Sequence, residues 1–343
     1  MGNQTSGQYD EKENINLINC NLSKLPFSPS NENQTQYLYL SGNNIKSLSK
    51  NMKKIVLIDL SDNKIGSSFP PEISDALSSY SNLKTLYLKK NQLENLDNFE
   101  NNNVDTIFLI QNNFRELPYQ FFSKFPQLKT IYLDCNFISA FSKQKSESII
   151  TLSLSLNCIQ TIEVSTLNLP QLMILNLAKN NIHTLPNNFS KSFPNLQNLD
   201  FISEIPDDES YFPKTLNELN LSHNLIEKVP KSVTSLPTLL TLDIMHNKIT
   251  ALPRLNQSIT RLLASYNKIS QIEKQELNFL NEIQLDYNEI TCFPTEIEHR
   301  EAKKIYLSHN KIKEVNSSSF IINNNLTVID LSFNQIETIP KDI

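Results

Sequence analysis

One pattern of apolar and polar positions recurs along almost the whole chain. Near the start, Leu38 and Leu40 alternate with other residues and are followed by Asn43. The same spacing recurs near the end, where it places Asn334. Thirteen steps of about 22 residues separate these two asparagines, which is a period typical of stacked repeats. The pattern places the intervening asparagines at positions 63, 91, 112, 136, 157, 180, 224, 247, 267, 288 and 310.

Each copy of the pattern predicts a short β-strand. In the copy that contains Leu175, Leu177 and Asn180, the two leucines alternate with period two, so that one face of the strand is turned to a core. Strands of successive coils would stack about 4.8 Å apart in a parallel sheet. The asparagine amide carries two donors and one acceptor, which suits it to satisfy backbone groups where each coil bends. The sequence therefore predicts a ladder of buried asparagines.

These motifs resemble the leucine-rich-repeat superfamily over roughly residues 15–343. The resemblance implies an α/β fold, a curved right-handed solenoid with a parallel concave sheet and an irregular, short-helical convex side, in about 15 coils. Residues 1–14 are expected to form a disordered arm. Pairs such as Leu185-Pro186 and Leu252-Pro253 resemble the intracellular signalling-scaffold type of this superfamily.

Three coils depart from the pattern. The first carries Cys20 where the others have asparagine. The third is long, and a proline followed by Ile73, Ala76 and Leu77 predicts a helix on the convex side. The ninth lacks four residues, its asparagine among them, and is expected to be irregular near the acidic stretch 207–209.

Composition and charge limit the classes of partner and the cellular setting that the sequence allows. The net charge of −5 is mild, and the absence of a basic block disfavours nucleic acid as a partner. No apolar stretch approaches the roughly 20 residues of a membrane span, and the N-terminus lacks the apolar core of a secretion signal. Four scattered cysteines favour a reduced setting, so we expect a cytoplasmic protein.

The N-terminus also fits a lipidation signal. Gly2 and Ser6 match the rule for N-myristoylation, with an ordinary unmodified tail as the alternative. A single myristoyl chain binds membranes only marginally. Gly2 is therefore the predicted site of a weak, reversible membrane tether.

Aromatic residues occupy the outward position between the two inward leucines in several strands. Three of them fall in consecutive coils, so that their rings should line up across the sheet. Exposed rings in a row are typical of binding anchors, although tyrosine also simply suits strands. The predicted partner-binding residues are Tyr39, Tyr87, Lys89, Phe108, Ile110, Tyr132 and Asp134.

A second aromatic row directly precedes the asparagines of the C-terminal coils. The histidines in this row suggest a zinc site. However, Ser-His-Asn and Ser-Tyr-Asn are common variants of the repeat motif itself. In addition, no carboxylate or thiolate recurs at the spacing that a metal site needs. No phosphate-binding loop and no catalytic triad are evident. We expect neither a metal, nor a cofactor, nor enzymatic activity. The row consists of His223, His246, Tyr266, Tyr287, His309 and Phe333.

Two functional hypotheses follow. The first is a non-enzymatic scaffold that binds a protein partner on the concave sheet, with small GTPases or signalling enzymes as the partners that the resemblance suggests. The second comes from the resemblance to repeat arrays that precede a type 2C protein phosphatase or a kinase domain, and makes this chain the recognition arm of such a larger enzyme. The end of the chain at Ile343 without a polar terminal coil keeps this hypothesis open. The sequence does not identify the partner.

Overall fold

The computed structural model describes residues 9–10, 14–26, 35–118, 120–201, 205–298, 301–315 and 325–338. The chain divides into two compact units, Met1–Asn181 and Ile182–Ile343. Both units are built from the same coil. Each coil contributes one three-residue strand to a parallel sheet, and a loop or short helix returns the chain to the next strand. This architecture confirms the predicted α/β repeat solenoid.

In the first unit, the strands of the main sheet pair in chain order. The registers align equivalent positions of successive repeats, so that Tyr87 pairs with Phe108 and Phe108 with Tyr132. A small two-stranded parallel sheet, β8 (Ala140–Phe141) with β10 (Thr161–Ile162), lies on the return side of the coils. The main sheet contains β1 (Tyr9–Asp10), β2 (Asn14–Asn16), β3 (Tyr37–Tyr39), β4 (Leu57–Asp59), β5 (Thr85–Tyr87), β6 (Thr106–Phe108), β7 (Thr130–Tyr132), β9 (Thr151–Ser153) and β11 (Ile174–Asn176).

The second unit repeats this arrangement. Its small parallel pairs are β15 (Ala251–Leu252) with β17 (Gln271–Ile272), and β18 (Gln275–Glu276) with β20 (Ile297–Glu298). The main sheet contains β12 (Asn198–Asp200), β13 (Glu218–Asn220), β14 (Thr241–Asp243), β16 (Arg261–Leu263), β19 (Glu282–Gln284), β21 (Lys304–Tyr306) and β22 (Val328–Asp330).

Helices are short and lie on the return side. The predicted helix of the third coil is confirmed as α1 (Pro71–Ser78), which starts with proline and buries Ile73, Ala76 and Leu77. Two single-turn helices, α2 (Phe189–Ser192) and α3 (Lys231–Thr234), occupy the same place in later coils. Two 3₁₀ helices span Phe121–Lys124 and Val164–Thr166.

The core of each unit is a stack of aliphatic rows topped by aromatic rings. The middle residue of nearly every strand is buried, as Leu86, Ile107 and Ile131 show. In the first unit, Phe69 stacks on Phe99 with ring centroids 5.6 Å apart, and further phenylalanines continue the cluster. These rings fill the wider return side of the coils, which short aliphatic side chains would leave partly empty.

The predicted asparagine ladder is present, and Asn112 is one of its most fully bonded members. Its Nδ2 donates hydrogen bonds to the carbonyls of Leu88 in the preceding coil (2.9 Å) and Leu109 in its own coil (3.0 Å). Its Oδ1 accepts from the backbone N–H groups of Asn91 and Leu93, both at 3.0 Å. One buried side chain thus satisfies four backbone groups at the corner between two coils.

The irregular coils can be followed where the structure describes them. The backbone N–H of Cys20 donates to Asn43 Oδ1 at 3.1 Å, so the first coil joins the ladder although its own rung is cysteine. Residues 202–204 of the ninth coil lie outside the described residues. On its far side Asn224 reaches the carbonyl of Phe201 at 3.4 Å, longer than the 2.9 Å that Asn247 makes to Leu221.

Within the predicted N-terminal arm, the structure describes β1 (Tyr9–Asp10), which pairs antiparallel with β2. The predicted lipidation site, Gly2, lies outside the described residues.

Candidate functional site

Three aromatic side chains form a stacked band on the outward face of the first unit's sheet. Tyr87, Phe108 and Tyr132 occupy equivalent positions of β5, β6 and β7. The rings of Tyr87 and Phe108 stack with centroids 4.3 Å apart and planes 4° from parallel. Those of Phe108 and Tyr132 stack at 4.8 Å and 8°. We call these three residues the aromatic band.

The band is half-buried rather than fully exposed, which differs from the sequence expectation. All three side chains are of intermediate accessibility because each ring covers the face of its neighbour. Tyr39 lies in the same row but is separated from Tyr87 by Asp59 of β4. The band therefore comprises three consecutive rings, and the intervening strand β4 separates Tyr39 from it.

Charged groups adjoin the band. Burial, followed by the neighbouring Asp59 carboxylate, raises the pKa of the Tyr87 hydroxyl above its ordinary value, so that it stays a neutral donor. Lys89 is exposed, and Ile110 is half-buried beside it. Asp134 accepts hydrogen bonds from the hydroxyls of Ser153 and Ser155. The four predicted aromatic residues thus lie in strands of the main sheet, whereas Lys89, Ile110 and Asp134 follow the ends of β5, β6 and β7. The Asp134 carboxylate is already engaged by two serines.

The second aromatic row forms a continuous stack in the second unit. Its six side chains follow one another at centroid distances of 4.3, 4.3, 4.3, 4.0 and 4.2 Å, with planes 9° to 11° from parallel. Tyr266 and Tyr287 remain 42% and 41% exposed, and Phe333 73%. We call this stack the ring ladder; its members are His223, His246, Tyr266, Tyr287, His309 and Phe333.

Backbone geometry produces the ring ladder. Its members have φ angles between 53° and 59°, in the left-handed region that side chains other than glycine rarely adopt. Each precedes a ladder asparagine, at the point where the chain turns inward. Because one conformation recurs in every coil, the side chains leave the backbone in the same direction and stack. In the first unit the same position carries residues such as Gly42, Asp62 and Lys90, which build no aromatic stack.

Titratable groups of the ring ladder influence one another. Desolvation between its neighbours, and then the like charge of His223, lower the pKa of His246, while Asp243 opposes the shift. Burial raises the pKa of Asp243, against the hydrogen bond that the Met245 N–H donates to its carboxylate at 3.0 Å. The stack therefore favours the neutral form of His246.

A pH titration tests this arrangement. We expect the His246 ring signals in NMR to titrate with a midpoint below the ordinary value of 6.5, with His223→Gln raising that midpoint and Asp243→Asn lowering it further. Because folding favours neutral His246, its contribution to the free energy of unfolding should fall as the pH drops below about 6.5. A midpoint at or above 6.5, unchanged by His223→Gln, would contradict the stack.

In the described part of the chain, no group of three or more His, Cys, Asp or Glu side chains could hold a metal ion. Among the same residues, no helix is both long and apolar enough to cross a membrane. The four cysteines are free, and Cys158 and Cys292 are exposed.

Comparisons with known proteins identify family models and relatives that this chain resembles. Family models described as leucine-rich repeat match residues 300–343 and 235–251. Keratocan of Danio rerio is 28% identical over 76% of this chain and 72% of its own length. Keratocan of Mus musculus is 26% identical over 95% and 80%. Lumican of Gallus gallus is 32% identical, over 37% of this chain and 40% of its own length.

Solved structures share the fold. A leucine-rich-repeat protein of Leptospira interrogans has a TM-score of 0.65 at 23% identity, covering 97% of this chain and 87% of its own. A leucine-rich-repeat protein of Bacteroides thetaiotaomicron has a TM-score of 0.62 at 16% identity, covering 90% of this chain and 45% of its own. The strand-per-coil sheet and the asparagine ladder define a leucine-rich-repeat solenoid. The family-model matches and the relatives support the leucine-rich-repeat superfamily for this chain.

Proposed function

We propose that this protein is a non-enzymatic scaffold that binds a protein partner through the aromatic band. The carrying observation is the uninterrupted stack of Tyr87, Phe108 and Tyr132 on the outward face of a sheet. Stacked aromatic side chains offer a large apolar area at little cost in conformational entropy, which is why they recur as binding anchors. Lys89 and Ile110 add a cation and an aliphatic contact on the same face.

A comparative capture experiment tests this function. Wild-type chain and the Tyr87→Ala, Phe108→Ala, Tyr132→Ala variant would serve as baits in extract of the native organism. We expect at least one protein to be retained by the wild type, lost by the triple variant, and kept by Lys231→Ala, which alters an exposed residue in the other unit. Identical retention by all three baits would reject the band as the binding site.

The finer features of the proposal rest on the sequence. They are a cytoplasmic setting, a small GTPase or signalling enzyme as partner, and the alternative of a regulatory arm beside a type 2C phosphatase or kinase. The free state of all four cysteines supports a reducing setting. Recovery of the native protein from the secreted fraction would contradict it.

We also propose that Gly2 carries a myristoyl group. In that case the intact native protein should show the added mass of one myristoyl chain, and Gly2→Ala should abolish it. Membrane flotation should give only a weak, reversible association, since one acyl chain binds marginally. An unmodified N-terminus on the native protein would remove the membrane tether from the proposal.

A further inference from the structure

The two ends of the ring ladder differ in how their histidines are held. At one end, His223 and His246 stack on each other with ring centroids 4.3 Å apart and planes 9° from parallel, and we call them the histidine pair. At the other end, His309 lies between Tyr287 and Phe333, with centroids 4.0 and 4.2 Å away. Within the residues that the structure describes, His223 therefore has one stacked ring beside it, whereas His309 has two.

Protonation acts differently at these two ends. When both rings of the histidine pair carry a proton, two parallel rings of like charge face each other at 4.3 Å. The pair therefore binds its second proton less readily than its first. Desolvation, and then the like charge of His223, lower the pKa of His246 in agreement with this coupling. A proton on His309 instead lies between the faces of two aromatic rings, an arrangement that attracts a cation.

The carboxylates beside the two ends also differ. Burial raises the pKa of Asp243, whose charge interacts with both rings of the histidine pair. Hydrogen bonds from the hydroxyl and then the N–H of Ser332 lower the pKa of Asp330, whose charge interacts with that of His309. On acidification, negative charge is therefore lost earlier beside the histidine pair than beside His309.

Unpaired charges lie on both sides of the histidine pair. Asp200 belongs to the preceding strand, β12, so it lies on the outer side of His223 and attracts an imidazolium away from His246. Lys248 and Lys268 follow the ladder asparagines of the next two coils and form no ion pair within the part of the chain that the structure describes. A protonated pair therefore has positive charge toward the following coils and negative charge toward the preceding one.

The remaining charged groups near the ladder are paired, hydrogen-bonded or at the far ends of their strands. Arg261 pairs with Glu282 at 3.2 Å, and near His309 the side chain of Lys311 pairs with Glu289 at 3.0 Å. Two others begin their strands and a third is bonded by serine hydroxyls; they are Glu218, Lys304 and Asp286. These groups leave the contrast between the two ends unchanged.

We propose that acidification opens the ring ladder at its His223 end and leaves it closed around His309. The His223 side chain is exposed and has one stacked neighbour, so it can turn away from His246 without displacing another ring. His246 then becomes the end of the stack and stays on Tyr266, whose ring face accommodates an imidazolium. The ladder is thereby shortened by one ring and presents an open imidazolium face.

The pH range of the opening follows from the two groups at the histidine pair. The pKa of His246 is shifted down from 6.5, so this ring takes up its proton below that pH. The pKa of Asp243 is shifted up from 3.8, so its carboxylate loses its charge above that pH. We therefore expect the opening between pH 6.5 and pH 3.8.

NMR of the full-length chain tests the opening. Nuclear Overhauser contacts between ladder rings would be recorded from about pH 7.5 down to about pH 4, on either side of the ordinary histidine pKa, with circular dichroism verifying the fold at each step. We expect the contact between the rings of His223 and His246 to be lost as they titrate. The contacts of His246 with Tyr266 and of His309 with Tyr287 should be kept.

The matched controls are His223→Phe and His246→Phe. Each keeps a ring at its place in the ladder and removes one of the two like charges, so the contact between positions 223 and 246 should persist throughout the titration. Loss of that contact in either variant at the pH found for the wild type would overturn the proposal. So would a wild-type contact that survives titration of both rings, simultaneous loss of the His309 contacts, or unfolding before the contact is lost.

Discussion

A chain carrying Tyr87→Ala, Phe108→Ala and Tyr132→Ala is expected to lose measurable affinity for its protein partner. Central aromatic anchors typically contribute 2 kcal/mol or more when truncated, so that each single change should weaken binding by roughly thirty-fold. The effects should not add, because removing Phe108 leaves both flanking rings without a stacking neighbour. Titration calorimetry with the captured partner would measure the affinities of the wild type, the three single variants and the triple variant.

The same truncations carry a modest structural cost. Each aromatic pair contributes about 0.5–1.5 kcal/mol beyond the area it buries, so that the triple variant should unfold at slightly lower denaturant concentration while remaining folded. Phe137→Ala is the matched control, since Phe137 is an aromatic residue of the same unit that is 53% exposed outside the band. Wild-type affinity in the triple variant would place the binding site elsewhere. An equal loss of affinity in Phe137→Ala would show that the effect arises from a disturbed fold and not from the band.

Asn112→Ala is expected to cause the largest loss of stability among single substitutions at polar positions of the repeat. The side chain satisfies the carbonyls of Leu88 and Leu109 and the N–H groups of Asn91 and Leu93, all within the core. Each buried group left unpaired costs about 1–3 kcal/mol, partly relieved where water enters. We expect a loss of at least about 3 kcal/mol in chemical denaturation, measured by circular dichroism.

Asn187→Ala is the control for this prediction. Asn187 is exposed and lies outside the ladder, so its replacement should change the free energy of unfolding by no more than about 0.5 kcal/mol. Similar losses for Asn112→Ala and Asn187→Ala would show that the buried asparagines do not hold the corners of the coils together.

The repeat pattern was sufficient to predict the fold. Alternation around positions such as Leu175 and Leu177 identified the strands, and the fixed distance to Asn180 set their register, because a slip of one residue would turn the apolar positions to solvent. The helix of the third coil was predictable from its proline and from Ile73, Ala76 and Leu77. The phenylalanine cluster beginning at Phe69 was not, since the return segments have no regular spacing.

The candidate surfaces were predicted less completely. Alignment of Tyr87, Phe108 and Tyr132 followed from period and register, whereas the mutual shielding of the rings depends on side-chain rotamers. The bonds from Ser153 and Ser155 to Asp134 cross between coils and leave no sequence signature. In the second unit, the sequence shows the row of ring-bearing residues that starts at His223, but only as a common variant of the repeat motif. Its stacking required the left-handed backbone conformation, which only the structure gives.

Because the residue before each ladder asparagine is left-handed, each coil contributes one position to the ring ladder, and the number of coils sets the ladder's length. Insertion of a whole coil with the same sequence pattern would extend the stack by one ring and leave the distance between rings unchanged, since each coil contacts only its neighbours. Deletion of a single residue between a strand and its asparagine would remove one ring from the stack and leave a gap twice as wide. Surface length in this molecule therefore changes in units of about 22 residues, the repeat period, rather than residue by residue.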